Sequence, residues 1–99
     1  MSSPEVLIKN DIHPMTQFRG ELDEIDHSLL LLLARRMQVA QHIGMYKKEN
    51  NIPILQAGRW HELLQAVVEK GEKLDLSSDC IKQIFNAIHD ESIRHQTHL

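Results

Sequence analysis

Apolar side chains recur in alternating steps of three and four along the first half of the chain: Met15, Phe18, Leu22, Ile25, Leu29, Leu32, then Val39, Ile43 and Tyr46. One position on this stripe breaks the rule, Arg36, between Leu32 and Val39. The rhythm predicts a single very long helix, opening at Pro14, which suits a first turn, and running to about Lys48 before Asn50, Asn51 and Pro53 stop it. A second helix is expected from Ala57 or Gly58 through Trp60, Leu63, Leu64, Val67 and Val68, ending at Gly71 as a left-handed cap. The third opens at Ser77 or Ser78, has Asp79 in its dipole-favoured first turn, and carries Ile81, Ile84, Phe85 and Ile88. No segment shows the alternation of a strand and nothing repeats, so the fold class is all-α, one very long helix and two shorter ones. Residues 1 to 13 lack sustained periodicity and read as a flexible lead-in or linker remnant.

Length turns this pattern into a statement about assembly. A helix of about 33 residues is about 50 Å long, whereas a compact chain of this size has a radius of gyration near 13 Å. The long helix cannot hide its stripe within its own monomer. A second copy laid along it solves the problem, and an intertwined homodimer is expected.

The polar exceptions then carry the chemistry. A guanidinium buried without a partner costs several kcal/mol, so Arg36 calls for an anion. Lys47 follows it by about 20° of rotation and about 16 Å of rise, so the two cations look the same way. Arg19 lies about 100° around the helix from Arg36 and about 25 Å away, too far to share its pocket on one helix, but within reach of a partner's pocket in an antiparallel dimer. On the third helix the series Ile81, Phe85, Ile88 continues as Ser92 and Gln96, so its inward face turns polar. Arg59, beside Trp60, adds a further cation. These groups suit a small dianion, since the planar fork of Arg matches a carboxylate while Lys and Gln donate to less symmetrical oxygens. They support reactions that need orientation and electrostatics alone.

Blander readings account for the same residues. Arg36 is equally a register-setting polar residue in a coiled coil, or an arginine that snorkels to water. Arg19, Lys47 and Arg59 taken singly are ordinary surface charges, and Ser92 and Gln96 stand near a terminus, where polar residues are common.

Composition narrows the classes. The chain has 99 residues, 41% hydrophobic and 25% charged, with a net charge of −3 and one cysteine, Cys80. That fits one small domain and argues against a nucleic-acid binder, which would carry a basic surface. A lone cysteine excludes an internal disulfide framework and points to the cytoplasm. The run Leu29 to Leu33 is too short to span a membrane. Of the seven histidines, His95 and His98 sit at i, i+3, yet His27, His42, His61 and His89 form no second matching pair. They read as solvated surface residues rather than metal ligands. The acidic cluster Asp23, Glu24, Asp26 lies off the stripe, where helix-face charge belongs.

From Phe18 to Gln96 the chain resembles the all-helical, AroQ-class chorismate mutases. The resemblance rests on Phe18-Arg19, Ile25-Asp26, Leu32-Leu33-Ala34-Arg35-Arg36, the Gly44-x-x-Lys47 step, Pro53, Arg59 and the closing Glu91-Ser92-x-x-x-Gln96. Their order and spacing are more specific than any one of them. The resemblance makes residues 14 to 99 a helical chorismate mutase domain. It implies a dimer of interlocked three-helix chains in which each site borrows an arginine, here Arg19, from the other subunit.

It further implies a Claisen rearrangement of chorismate to prephenate in phenylalanine and tyrosine biosynthesis, with no metal, organic cofactor or covalent intermediate. Arg36 and the partner subunit's Arg19 would hold the two carboxylates in the compact diaxial conformer. Lys47 and Gln96 would donate to the ether oxygen as it gains charge. Arg59 and Ser92 would complete the carboxylate shell, helped by backbone near Gln56. Many members carry an acidic residue where this chain has Trp60, and another where it has Gln56. These departures leave the carboxylate clamps intact and remove the usual contact to the ring hydroxyl. Two other functions share the features: an isochorismate-pyruvate lyase with the same fold and pocket, and a non-catalytic helical dimerisation or regulatory module. Family members also occur fused to a sugar-phosphate (DAHP) synthase, to prephenate dehydratase or to prephenate dehydrogenase, which makes such a domain a candidate partner here.

Overall fold

The computed structural model describes residues 4–98, with side chains described from residue 13 onward. Three helices, α1 (Pro4–Glu49), α2 (Ala57–Lys73) and α3 (Ser78–Thr97), follow one another with no strand among the described residues. The helix start expected at Pro14 needs correction: α1 begins at Pro4 and passes through Pro14. The proline ring already has helical φ, but it removes one N–H donor and crowds the carbonyl four residues before it, so α1 continues through Pro14 at a cost of about 3 kcal/mol. Residues 1–3 of the expected lead-in lie outside the described residues.

The chain divides into two units, Met1–Leu33 and Ala34–Leu99. In the first, the described residues belong to α1 alone, and the stripe stands open: Met15, Phe18, Leu22, Ile25 and Leu29 are each more than half exposed. Among the described residues, no helix is long and apolar enough to cross a membrane.

The second unit packs the last part of α1 with α2 and α3. Its helix ends follow from local chemistry. The α1 end closes when Asn51 takes a left-handed φ of 55°, letting the Ile52 N–H reach back to the Lys47 carbonyl at 2.8 Å. Asn tolerates that conformation better than most residues because its short polar side chain bonds locally. The α2 end uses the same device at Asp75, φ 63°, with Leu76 N–H to the Gly71 carbonyl at 2.9 Å and Asp75 N–H to the Glu72 carbonyl at 3.1 Å. At the start of α3 the Ser77 hydroxyl accepts from the Cys80 N–H at 3.2 Å, with Asp79 in the first turn.

Gly71 therefore is not the left-handed cap that its place in the sequence predicts. It is buried inside α2, and a Cβ there would lie 2.6 Å from Ile81 Cγ1. Its missing side chain lets α3 pack closely, with Ile81 filling the space. Met37 and Ala40 of α1 and Ile81 of α3 are buried, and Leu63, Leu64, Val67, Val68, Phe85 and Ile88 are half-buried around them. Ile84, expected with the apolar series, is 48% exposed instead.

Candidate functional site

The inward face of α3 changes character along its length, from Ile81 through Phe85 and Ile88 to Ser92 and Gln96. Both polar residues at its end are buried, at 7% and 8% exposure. Such burial demands partners, and α1 supplies them. Arg36 donates from a guanidinium nitrogen to the Ser92 hydroxyl at 2.7 Å, and that hydroxyl in turn points at the Met37 thioether, 3.7 Å away. One turn of α3 further on, Lys47 donates to Gln96 Oε1 at 3.1 Å and to the Ile54 carbonyl at 2.8 Å. The two helices meet closely at this level because residue 44 is glycine. A Cβ on Gly44 would lie 2.7 Å from the Gln96 Cα.

The Lys47 contact also fixes the Gln96 amide. An ammonium only donates, so the oxygen must face Lys47 and the NH₂ must face away from it. Two of the three Lys47 protons are engaged, which leaves one.

Around these residues lies a cavity of about 280 Å³. Arg36, Ser92 and Gln96 line it from α1 and α3, and Gln56, Arg59 and Trp60 from the start of α2. Val39, Ile43 and Leu63 make part of its apolar wall. Lys47 lines a neighbouring cavity of about 340 Å³, which shares Ile54 and Gln96 with the first. The six expected site residues of the second unit, Arg36, Lys47, Gln56, Arg59, Ser92 and Gln96, thus line two neighbouring spaces. Arg59 and Gln56 are exposed at the mouth, whereas Arg36 and Lys47 are half-buried. Arg19 belongs to the first unit, where it is exposed.

The electrostatics of the cavity are one-sided. No Asp or Glu lines it, and among the described residues none pairs with Arg36, Lys47 or Arg59. Arg36 meets only a neutral hydroxyl. The first turn of α2, which carries Arg59, contains no acidic residue either, so the positive end of that helix dipole is not neutralised. An arrangement of this kind suits an anion and offers donors to a second oxygen, with no carboxylate to repel either.

Glu91, next to Ser92 in α3, is engaged outside the cavity. Glu91 accepts from Arg94 at 2.6 Å and pairs with His95 at 2.9 Å. The Arg94 hydrogen bonds, then that of His95, hold its carboxyl well below the ordinary 4.5, at about 2, and Glu91 in turn raises Arg94. His98 meets the Arg94 carbonyl at 2.9 Å, so His95 and His98, the i, i+3 pair, are engaged separately.

One residue of the cavity is misread by sequence reasoning. His89, expected on the solvated surface, is half-buried, lines the cavity and stacks on Trp60 with ring centroids 3.9 Å apart and 17° between planes. Its spacing held the signal, since residues 89, 92, 93 and 96 share one helix face.

Residues 18–97 match the family described as chorismate mutase type II. Among similar proteins, the bifunctional chorismate mutase/prephenate dehydratase of Buchnera aphidicola subsp. Acyrthosiphon pisum is 37% identical over 82 residues, 83% of this chain and 21% of the relative. The T-protein of Haemophilus influenzae is 30% identical over 78 residues, 79% of this chain and 21% of the relative. The bifunctional chorismate mutase/prephenate dehydratase of Escherichia coli K12 is 28% identical over 81 residues, 82% of this chain and 21% of the relative. The chain thus spans about a fifth of the length of the curated relatives it matches. Of the fusion partners that the resemblance raised, these mutase relatives name prephenate dehydratase as the second activity, not the sugar-phosphate synthase. With an all-helical fold among the described residues, a cationic cavity and a match that includes most of α1 and all of α2 and α3, the chain belongs to the type II chorismate mutase family.

Proposed function

We propose that this chain is a chorismate mutase, converting chorismate to prephenate in the synthesis of phenylalanine and tyrosine. The observation that carries the reading is Arg36, half-buried at a cavity with no carboxylate in its lining, its one side-chain partner among the described residues the neutral Ser92. A cation held in that way is matched by an anionic ligand.

The reaction is an internal rearrangement. The bond between the ring and the ether oxygen breaks as the enolpyruvyl methylene carbon bonds to the ring carbon that bears the carboxylate, six electrons moving in one cycle. Nothing is oxidised, reduced or transferred to the protein, so orientation and charge stabilisation carry the catalysis. Arg36, with Arg59 and Ser92 beside it, holds the substrate carboxylates in the compact conformer, with backbone near Gln56 at the edge. The NH₂ of Gln96 and the remaining Lys47 proton donate to the ether oxygen, whose negative charge grows in the transition state. Donors already fixed by Gly44 packing and by the Lys47 bond to Gln96 need no reorganisation as that charge develops.

The open stripe of α1 is covered by a second copy of the chain, giving a homodimer in which the partner subunit's Arg19 completes the site. The support is the exposure of Met15, Phe18, Leu22, Ile25 and Leu29 along one face, a row that matches itself when the helix pairs with its twin. The enzyme works in the cytoplasm, and its product is a substrate of the dehydratase activity named in its relatives.

The purified protein should be given chorismate and isochorismate in separate reactions. Prephenate formed from the first, and no pyruvate from the second, is the expected result. Pyruvate release from isochorismate alone replaces the mutase with a lyase, and turnover of neither, by a folded protein, overturns the enzymatic reading.

A further inference from the structure

The substrate proposed above has four polar groups: two carboxylates, an ether oxygen and a ring hydroxyl. The roles assigned to Arg36, Arg59, Ser92, Lys47 and Gln96 account for the first three. The hydroxyl is neutral and both donates and accepts a hydrogen bond, so a cation alone is a poor match for it. One further polar side chain on α3 lines the cavity, and that is His89.

His89 stands three residues before Ser92, on the same face of α3, and is half-buried. Its ring lies flat on Trp60, at 3.9 Å between centroids and 17° between planes. Stacking uses the face of the imidazole and leaves its edge, where both nitrogens sit. Neither nitrogen has a hydrogen-bond partner among the described residues, and neither is fully buried. A neutral imidazole offers one donor and one acceptor, the complement of a hydroxyl. Because Trp60 fixes the plane of the ring, most of its rotamer freedom is lost on folding rather than on binding.

We propose that His89, held against Trp60, binds the ring hydroxyl of the substrate and makes the site specific for the hydroxylated ring. The proposal rests on the mutase reading. His89 is then a substrate-contacting residue and Trp60 a positioning residue.

The test compares kcat/KM for chorismate and for its analogue lacking the ring hydroxyl. Wild type, His89→Phe, His89→Leu and His89→Gln are each measured after circular dichroism confirms folding. Wild type should prefer chorismate, because a site built to bond a hydroxyl rejects the analogue without it. His89→Phe keeps an aromatic ring on Trp60 and removes the hydrogen bond. It should lose about tenfold on chorismate and little on the analogue. His89→Leu gives the same comparison if the phenylalanine variant does not fold, and His89→Gln should keep part of the preference. Equal losses on both substrates, or an undiminished preference in His89→Phe and His89→Leu, overturn the role of His89 while leaving the mutase reading intact. A folded wild type that turns over neither compound overturns the mutase reading and this proposal with it.

Discussion

Replacing Gly44 with alanine should cost the enzyme both stability and turnover while leaving the chemistry of every substrate-binding side chain unchanged. The new Cβ would stand 2.7 Å from Gln96 Cα and 3.0 Å from both Gln96 Cβ and the Gln96 carbonyl oxygen. Carbon atoms rest about 3.5 to 4.0 Å apart, so the backbones of α1 and α3 must separate by about 1 Å. A flexible side chain could swing aside, but the nearest atom here is backbone. Overpacking of this kind costs about 2 kcal/mol, equivalent to a fall in Tm of roughly 10 °C in a domain of this size. The same movement withdraws the Gln96 amide and stretches its 3.1 Å bond from Lys47. A displacement near 1 Å at a positioned donor lowers turnover by about 10²-fold. The control is Gly58→Ala in α2, where the added Cβ meets nothing within 4 Å. It should gain about 0.5 kcal/mol or more, since alanine is the better helix former. Thermal unfolding by circular dichroism and chorismate consumption give the two readouts. A Gly44→Ala protein with wild-type Tm and wild-type turnover would refute the reasoning, and lowered Tm with unchanged turnover would refute the positioning of Gln96.

Further outcomes follow from the same contacts. Glutamine is neutral and donates at every accessible pH, whereas a carboxyl donates only when protonated, so Gln96→Glu should confine turnover to acidic pH. An unchanged pH profile removes Gln96 from the ether-oxygen role. Because the folded Glu91 carboxyl is lowered to about 2, its ion pairs with Arg94 and His95 add stability above the ordinary carboxylate range and lose it as pH falls through about 2. The contribution is small at so exposed a site. Carboxyl NMR should find that midpoint and see it return towards 4.5 in Arg94→Ala.

The long helix and its stripe were legible because a three-four rhythm over so many residues has one physical explanation. Arg36 was legible for the same reason, as a polar residue that interrupts an apolar series and must find compensation. Ser92 and Gln96 followed by continuing the inward face of α3, and both are buried. What escaped depends on how elements approach one another. Gly71 precedes a turn and so reads as a cap, but its actual role is set by Ile81 on another helix. Pro14 reads as a helix start because periodicity is weak before it and because its ring disfavours helix on its N-terminal side, yet α1 runs through it. His89 and Trp60 are far apart in sequence, and only the packing of α2 on α3 reveals that they stack. Trp60 itself could be seen only as a departure from the family pattern, its partner being unreadable.

The most direct test of the account is a mixing experiment with Arg19→Ala and Arg36→Ala chains, each of which should be folded and nearly inactive towards chorismate alone. After joint unfolding and refolding in equal amounts, mixed dimers would contain one site with Arg36 from one chain and an intact Arg19 from the other. Activity should return to about a quarter of the wild-type rate. No recovery despite confirmed mixed dimers, or full activity in either variant alone, would contradict a dianion site built around Arg36 and completed by a second copy of the chain.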